Sequence, residues 1–138
     1  IKEEKSMFGF YRANGRKNAP AIITVPSTAS TSYHVGDALV LTNGAATKAG
    51  ATVKPTHICA QEYVAPASGN QPIAVYPVLD GYEWITTFAA APTGIVAGSK
   101  VTLHTDSAQV TATTASGVAE VVDMHGATAS GDEVIVKF

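Results

Sequence analysis

Turn signals recur so closely along this chain that no long regular element fits between them. Asn43-Gly44, Gly69-Asn70, Asp80-Gly81, Ser116-Gly117 and Gly131-Asp132 punctuate runs of about five to seven residues. The runs are rich in Val, Ile, Thr, Tyr and Trp, which suit a pleated, half-buried surface. They predict strands at 21–25, 38–42, 58–63, 73–78, 82–88, 100–104, 109–113, 119–124 and 133–138. Asn-Gly and Asp-Gly favour tight hairpin turns, because those positions need positive φ. On that ground Val78-Leu79-Asp80-Gly81-Tyr82-Glu83 reads as the clearest hairpin. Ala89-Ala90-Ala91 would begin a helical turn, but Pro92 and Gly94 stop it.

Short strands without helices predict an all-β fold, a small β-barrel or a β-tulip- or sandwich-like domain over residues 20–138. The 138 residues suffice for one such domain with its own core. The single cysteine excludes an internal disulfide and a multi-cysteine zinc site. No apolar run reaches the ~18–20 residues of a membrane helix. Ile1 stands where an initiator methionine would, which fits either trimming or numbering from within a longer chain.

Three segments share one form: Val35-Gly36-Asp37-Ala38-Leu39-Val40-Leu41, Ala97-Gly98-Ser99-Lys100-Val101-Thr102-Leu103 and Ser130-Gly131-Asp132-Glu133-Val134-Ile135-Val136. Glycine takes the turn, a short polar side chain closes it on nearby backbone, and a largely apolar strand follows. This reads as one turn-building device used three times, not as a repeat protein.

Charge is distributed unevenly. Residues 1–18 carry a net charge of +3, and the other 120 carry −5. The basic segment also holds Phe8, Phe10 and Tyr11 around Gly9. It predicts an extended N-terminal arm over residues 1–19 that docks on a partner. Its anchors would be Phe8, Phe10, Tyr11, Arg12, Arg16 and Lys17, types favoured at interface centres or suited to bidentate bonding. A first strand packed on its own domain and a flexible tail are the alternatives. The overall charge of −2 argues against general attraction to nucleic acid.

Catalytic constellations are hard to assemble. His57 and Cys59 are two apart, so a strand would put them on one face, but a packed small cysteine is the simpler reading. Asp123 and His125 repeat that spacing, with no Gly-x-Ser-x-Gly elbow to present a nucleophile. Asp80 reads as a turn former and Glu83 as a solvated neighbour. Tyr82 and Trp84 would share a strand face, packed in the core or, if exposed, able to stack on sugar. No catalytic residue, metal or cofactor is expected. A binding or structural subunit is expected instead.

The stretch Ser32-Tyr33-His34-Val35-Gly36-Asp37-Ala38-Leu39-Val40-Leu41-Thr42-Asn43-Gly44-Ala45-Ala46-Thr47-Lys48-Ala49, followed by Lys54-Pro55-Thr56-His57-Ile58-Cys59-Ala60, resembles the capsid decoration (cement) proteins of tailed bacteriophages. The resemblance continues loosely through Ile73–Val78 and residues 130–138. It implies a β-domain on the outer surface of a virion, made in the host cytoplasm. Its partner would be the major capsid protein, whose neighbouring subunits it would bridge, as a homotrimer or other homo-oligomer. No membrane or nucleic-acid partner is implied. The alternative is a carbohydrate- or receptor-binding module of a fibre or adhesin, resting on Tyr82 and Trp84.

Overall fold

A computed structural model describes residues 7–138. Residues 1–6 of the expected arm, Ile1 among them, lie outside the described residues. The chain is all-β, without helices among the described residues. Its strands are β1 (Gly9–Ala13), β2 (Ile23–Pro26), β3 (Ser32–Tyr33), β4 (Ala38–Thr42), β5 (Ala45–Lys48), β6 (His57–Cys59), β7 (Tyr63–Val64), β8 (Pro72–Pro77), β9 (Tyr82–Thr87), β10 (Lys100–Val101), β11 (Ala119–Asp123) and β12 (Glu133–Lys137). They form antiparallel sheets in the orders β1-β9-β12-β11-β10 and β2-β8-β6-β4-β5, with β3-β7 as a small third. No barrel closes, and the arrangement is compatible with a β-sandwich-like domain.

Turn chemistry explains much of this. Asn43 and Gly44 both take positive φ, 52° and 81°, and join β4 to β5 with Thr42 opposite Ala45. The Gly-Asp/Ser device is the same in all three copies. Asp37 Oδ2 accepts from His34 N–H at 2.9 Å, Ser99 Oγ from Val96 N–H at 3.1 Å, and Asp132 Oδ2 from Ala129 N–H at 3.0 Å. In each, the backbone N–H of that Asp or Ser returns a bond to the carbonyl three residues back. Both ends of the turn are thereby satisfied.

Two copies of the device mark a larger correspondence. Gly36 N–H donates to Cys59 O at 2.8 Å, and Cys59 N–H to Asp37 O at 2.8 Å. Displaced by 62 positions (36 to 98, 59 to 121), Gly98 N–H donates to Val121 O at 2.7 Å, and Val121 N–H to Ser99 O at 2.8 Å. The register follows: Ala38 opposite Ile58 becomes Lys100 opposite Glu120. At a displacement of 61, Ile23 opposite Val75 becomes Trp84 opposite Val136. A parallel bridge Ser27–Ala46 has its counterpart in Phe88–Val110. The larger sheets are therefore one design used twice, with β2, β8, β6 and β4 matching β9, β12, β11 and β10. The shared turn form was the visible part of a duplicated β unit.

The expected hairpin at 78–83 is not one. The turn itself forms, with Tyr82 N–H bonded to Leu79 O at 3.1 Å, but β8 and β9 lie in different sheets. The two sides of β9 are already taken by β1 and β12. Asp80-Gly81 is the corner between the two units. The expected strand 109–113 is likewise replaced by irregular chain bridged at Val110.

The extended arm is corrected over residues 8–13. Gly9–Ala13 is the edge strand of the body's own sheet, paired with β9. Phe8, 1% exposed, lies in the core shared by the two units and meets Phe138 edge-on at 5.4 Å. That core joins Ala38, Ala49 and Ile58 of the first unit to Trp84, Phe88, Val101, Val121 and Val134 of the second. A smaller core around Tyr33, Leu39, Ile73 and Val75 belongs to the first unit alone.

Candidate interaction surface

The six residues expected to anchor a partner divide into two groups. Phe8 and Phe10 are engaged within the chain. The Phe10 ring stands edge-on to both Tyr82 and Trp84 at 5.7 Å. Phe10 thus covers the face on which Tyr82 and Trp84 would have met a sugar, and Trp84 is 0% exposed. The aromatic segment and the aromatic strand are each other's partners. Burial of Trp84 takes away one of the two rings on which the carbohydrate alternative rested, while Tyr82 stays half-buried.

Tyr11, Arg12, Arg16 and Lys17 form the second group. Arg12 Nε bonds Glu83 Oε1 at 2.7 Å, and its guanidinium lies 5.4 Å from the Tyr11 ring centre. The carboxylate raises the pKa of Arg12, first by its hydrogen bond and then by its charge. Glu83, expected to be merely solvated, is therefore the partner that orients Arg12. Lys17 Nζ lies 6.0 Å from the Tyr11 ring centre. Asn14 and Gly15, at φ 51° and 81°, turn the chain so that Ala13 and Arg16 exchange backbone bonds of 2.7 and 2.9 Å. Asn14 N–H donates to Gly81 O at 3.1 Å, fixing this turn to the inter-unit corner. Arg16, which closes this turn, and Lys17, which follows it, are exposed and form a basic tip beside the corner.

The groups that suggested chemistry sit apart. Cys59 is fully buried, its thiol bonded to Gln61 O at 3.1 Å, and burial raises its pKa. His57 bonds Thr56 Oγ1 through Nδ1 at 2.9 Å, and burial lowers its pKa. A thiol held protonated is a poor nucleophile. Asp123 accepts from His125 N–H at 2.9 Å, an Asx turn at a strand end. Asp106 does the same for Ala108 at 2.9 Å. Among the described residues no group of three or more His, Cys, Asp or Glu could hold a metal ion.

Sequence reasoning did not find one polar cluster. Asp37, 3% exposed, lies 3.8 Å from Lys48 Nζ, while His34 Nδ1 and Val35 N–H reach the Glu62 carboxylate at 2.8 and 3.1 Å. The Glu62 contacts tie the turn before β4 to the segment before β7, and the Asp37–Lys48 pair ties it to the end of β5. Their long separations in sequence hid them. A depression of about 340 Å³ lies beside Phe138, flanked by Lys54, Lys100, Glu120 and Lys137. Lys137 Nζ and Glu120 Oε2 pair there at 3.3 Å. Comparison with protein-family models, curated proteins and solved structures returned no match.

Proposed function

We propose that this chain is a non-enzymatic binding subunit that decorates the outer surface of an assembled bacteriophage capsid and stabilises it by bridging neighbouring major capsid subunits. The proposal rests on the resemblance of its turn-and-strand segments and on one structural observation. That observation is the exposed Arg16–Lys17 tip on a body that is otherwise net acidic. The tip is preset: a positive-φ turn, a paired edge strand and the Tyr11 ring hold its backbone and one cation in place. Preset contacts bind with less ordering cost than a free arm would. A protein that binds the closed shell and not its dispersed subunits shifts assembly by mass action.

The test is addition of purified protein to shells that lack it. Saturable, stoichiometric attachment and a raised rupture temperature are expected. The double substitution Arg16→Glu with Lys17→Glu should leave the fold intact and weaken attachment at least about tenfold, about 1.4 kcal/mol. Failure of the parent protein to attach would remove the decoration reading. Undiminished attachment by the double variant would move the contact away from the tip.

A further inference from the structure

The two matched sheets are built alike but end differently. The outer edge of β9 carries β1, whereas its counterpart β2 ends its sheet, met on that side by β5 at its Ser27 end through the bridge to Ala46 and exposed over residues 21–24. A displacement of 61 carries Ala21, Ile22, Ile23 and Thr24 onto Tyr82, Glu83, Trp84 and Ile85, the residues that β1 covers. The ladder fixes which groups point outward. Ser27 N–H bonds Gln71 O, and Asn70 N–H bonds Ser27 O. By alternation Val25 and Ile23 turn their backbone groups toward β8, and Thr24 and Ile22 turn theirs to the open edge. Two large apolar side chains stand on this edge, Ile22 at 55% and Ile23 at 42% exposure. Residues 18–33 contain no charged side chain. Exposed edges are commonly guarded by lysine or other charges. This one has only Pro20 and Pro26, one beyond each end of the exposed stretch.

We propose that this edge pairs with the same edge of a second copy, β2 antiparallel to β2 about a two-fold axis, so that two five-stranded sheets become one. The register follows from the outward groups. Ile22 exchanges its N–H and C=O bonds with Thr24 of the second copy, and Thr24 with Ile22 of the second copy. Ile23 then faces Ile23 of the second copy as a non-hydrogen-bonded pair, with Cα atoms about 4.5 Å apart. The same register brings Pro20 level with Pro26 of the second copy, next to the Ser27–Ala46 bridge at which the open edge ends. These are the positions where the next outward N–H would be required and where proline has none. The sequence therefore delimits a ladder matching its own length.

Another copy's β1 fits this edge less well. It would set Arg12 opposite Ile22, where the intramolecular pair has Glu83, and would have to withdraw Phe8 from the core. Self-pairing puts identical residues face to face, which an uncharged edge permits and a charged one opposes. It also gives an isologous contact, the commonest dimer symmetry. This dimer goes beyond the capsid reading and does not depend on it.

Sedimentation equilibrium of the full chain from about 1 µM to about 100 µM should show a monomer–dimer equilibrium. Thr24→Pro removes an outward N–H while sparing the β8 ladder, and Ile23→Lys sets two ammonium groups face to face. Each should weaken the dimer at least about tenfold. Val64→Lys, at a 71% exposed apolar site on β7, should not. Ile23→Cys should give a disulfide-linked dimer on mild oxidation, since facing residues of a non-hydrogen-bonded pair lie within bridging reach. That variant decides the matter even if Thr24→Pro does not fold. A parent chain monomeric at the highest concentration overturns the proposal. So does a dimer that persists in folded Ile23→Lys protein, or an Ile23→Cys chain that remains unlinked.

Discussion

Gly36 and Gly98 occupy matched places with almost the same backbone, φ +91° and +92°, yet their surroundings differ. A Cβ on Gly36 would overlap Met7, while a Cβ on Gly98 would meet nothing within 4 Å. Gly98→Ala should therefore cost only the left-handed strain, about 1 kcal/mol. Gly36→Ala adds displacement of Met7 and of the Phe8 N–H bond to Gly36 O, 2.9 Å long. Its loss of stability should exceed that of Gly98→Ala by at least about 1 kcal/mol in urea unfolding. Equal losses would mean that the Met7–Phe8 segment does not lie on Gly36. Asp37 supplies a pH signature. Burial raises its pKa above the ordinary 3.8, against the opposing His34 N–H bond and Lys48 charge. A raised carboxyl pKa gives stability that is present below the unfolded value and lost as pH rises through the folded value. Asp37→Asn keeps an oxygen acceptor for His34 and cannot ionise. Its stability relative to the parent should rise between about pH 3 and about pH 7. A flat difference would show that Asp37 is not desolvated. At this scale the turn residues were legible, because a glycine followed by Asp or Ser acts on its own neighbours. Glu83 and Trp84 were not, because their partners Arg12 and Phe10 lie some 70 residues away.

At the scale of elements, β1 is where local and global signals parted. Its segment read as arm from its basic charge and its aromatic residues, and GFYRA, without β-branched residues, gave no strand signal against that. What makes it a strand is the aromatic face of β9, which no local pattern reveals. Gly9 permits the approach, because even a Cβ there would come within 3.3 Å of Ile85. If β1 belongs to the body, deletion of residues 1–18 should not leave an intact domain. It uncovers Trp84 and removes Phe8, whose loss alone is of the order of 3–5 kcal/mol for a buried phenylalanine. Urea midpoints of the truncated and full chains measure this, and equal midpoints would return residues 8–13 to the status of an arm. The strands β5, β3 and β7 were missed for simpler reasons. Ala45–Lys48 reads AATK, and the other two are two residues long. The corner at Asp80-Gly81 shows the converse, since its turn chemistry was right and its hairpin wrong. A turn motif fixes the local reversal of the chain, while strand pairing goes to whichever edge is vacant.

Over the whole molecule, the two units are alike in design yet cannot be independent. β1 precedes the first unit in sequence but belongs to the sheet of the second. Ala38 N–H, on the first, bonds Ser107 O at 2.7 Å, and Leu103 N–H, on the second, bonds Ala51 O at 2.9 Å. Ser107 Oγ, buried, donates to Ala49 O at 2.8 Å. Separation of the units would leave these groups unpaired and bare the shared core around Phe8, Ile58, Trp84 and Phe88, at about 1–3 kcal/mol for each orphaned polar group. A chain divided between Asp80 and Gly81 tests this, because it cuts only the corner. Each fragment alone should lack the near-ultraviolet dichroism of a fixed Trp84 environment. An equimolar mixture should recover it, since β1 on the first fragment carries Phe10 to the face of β9 on the second. A second fragment that folds alone, with Trp84 already ordered, would show that β1 and the first unit are accessories to it. That outcome would also remove the reason for a docking tip held so firmly against the corner of the two units.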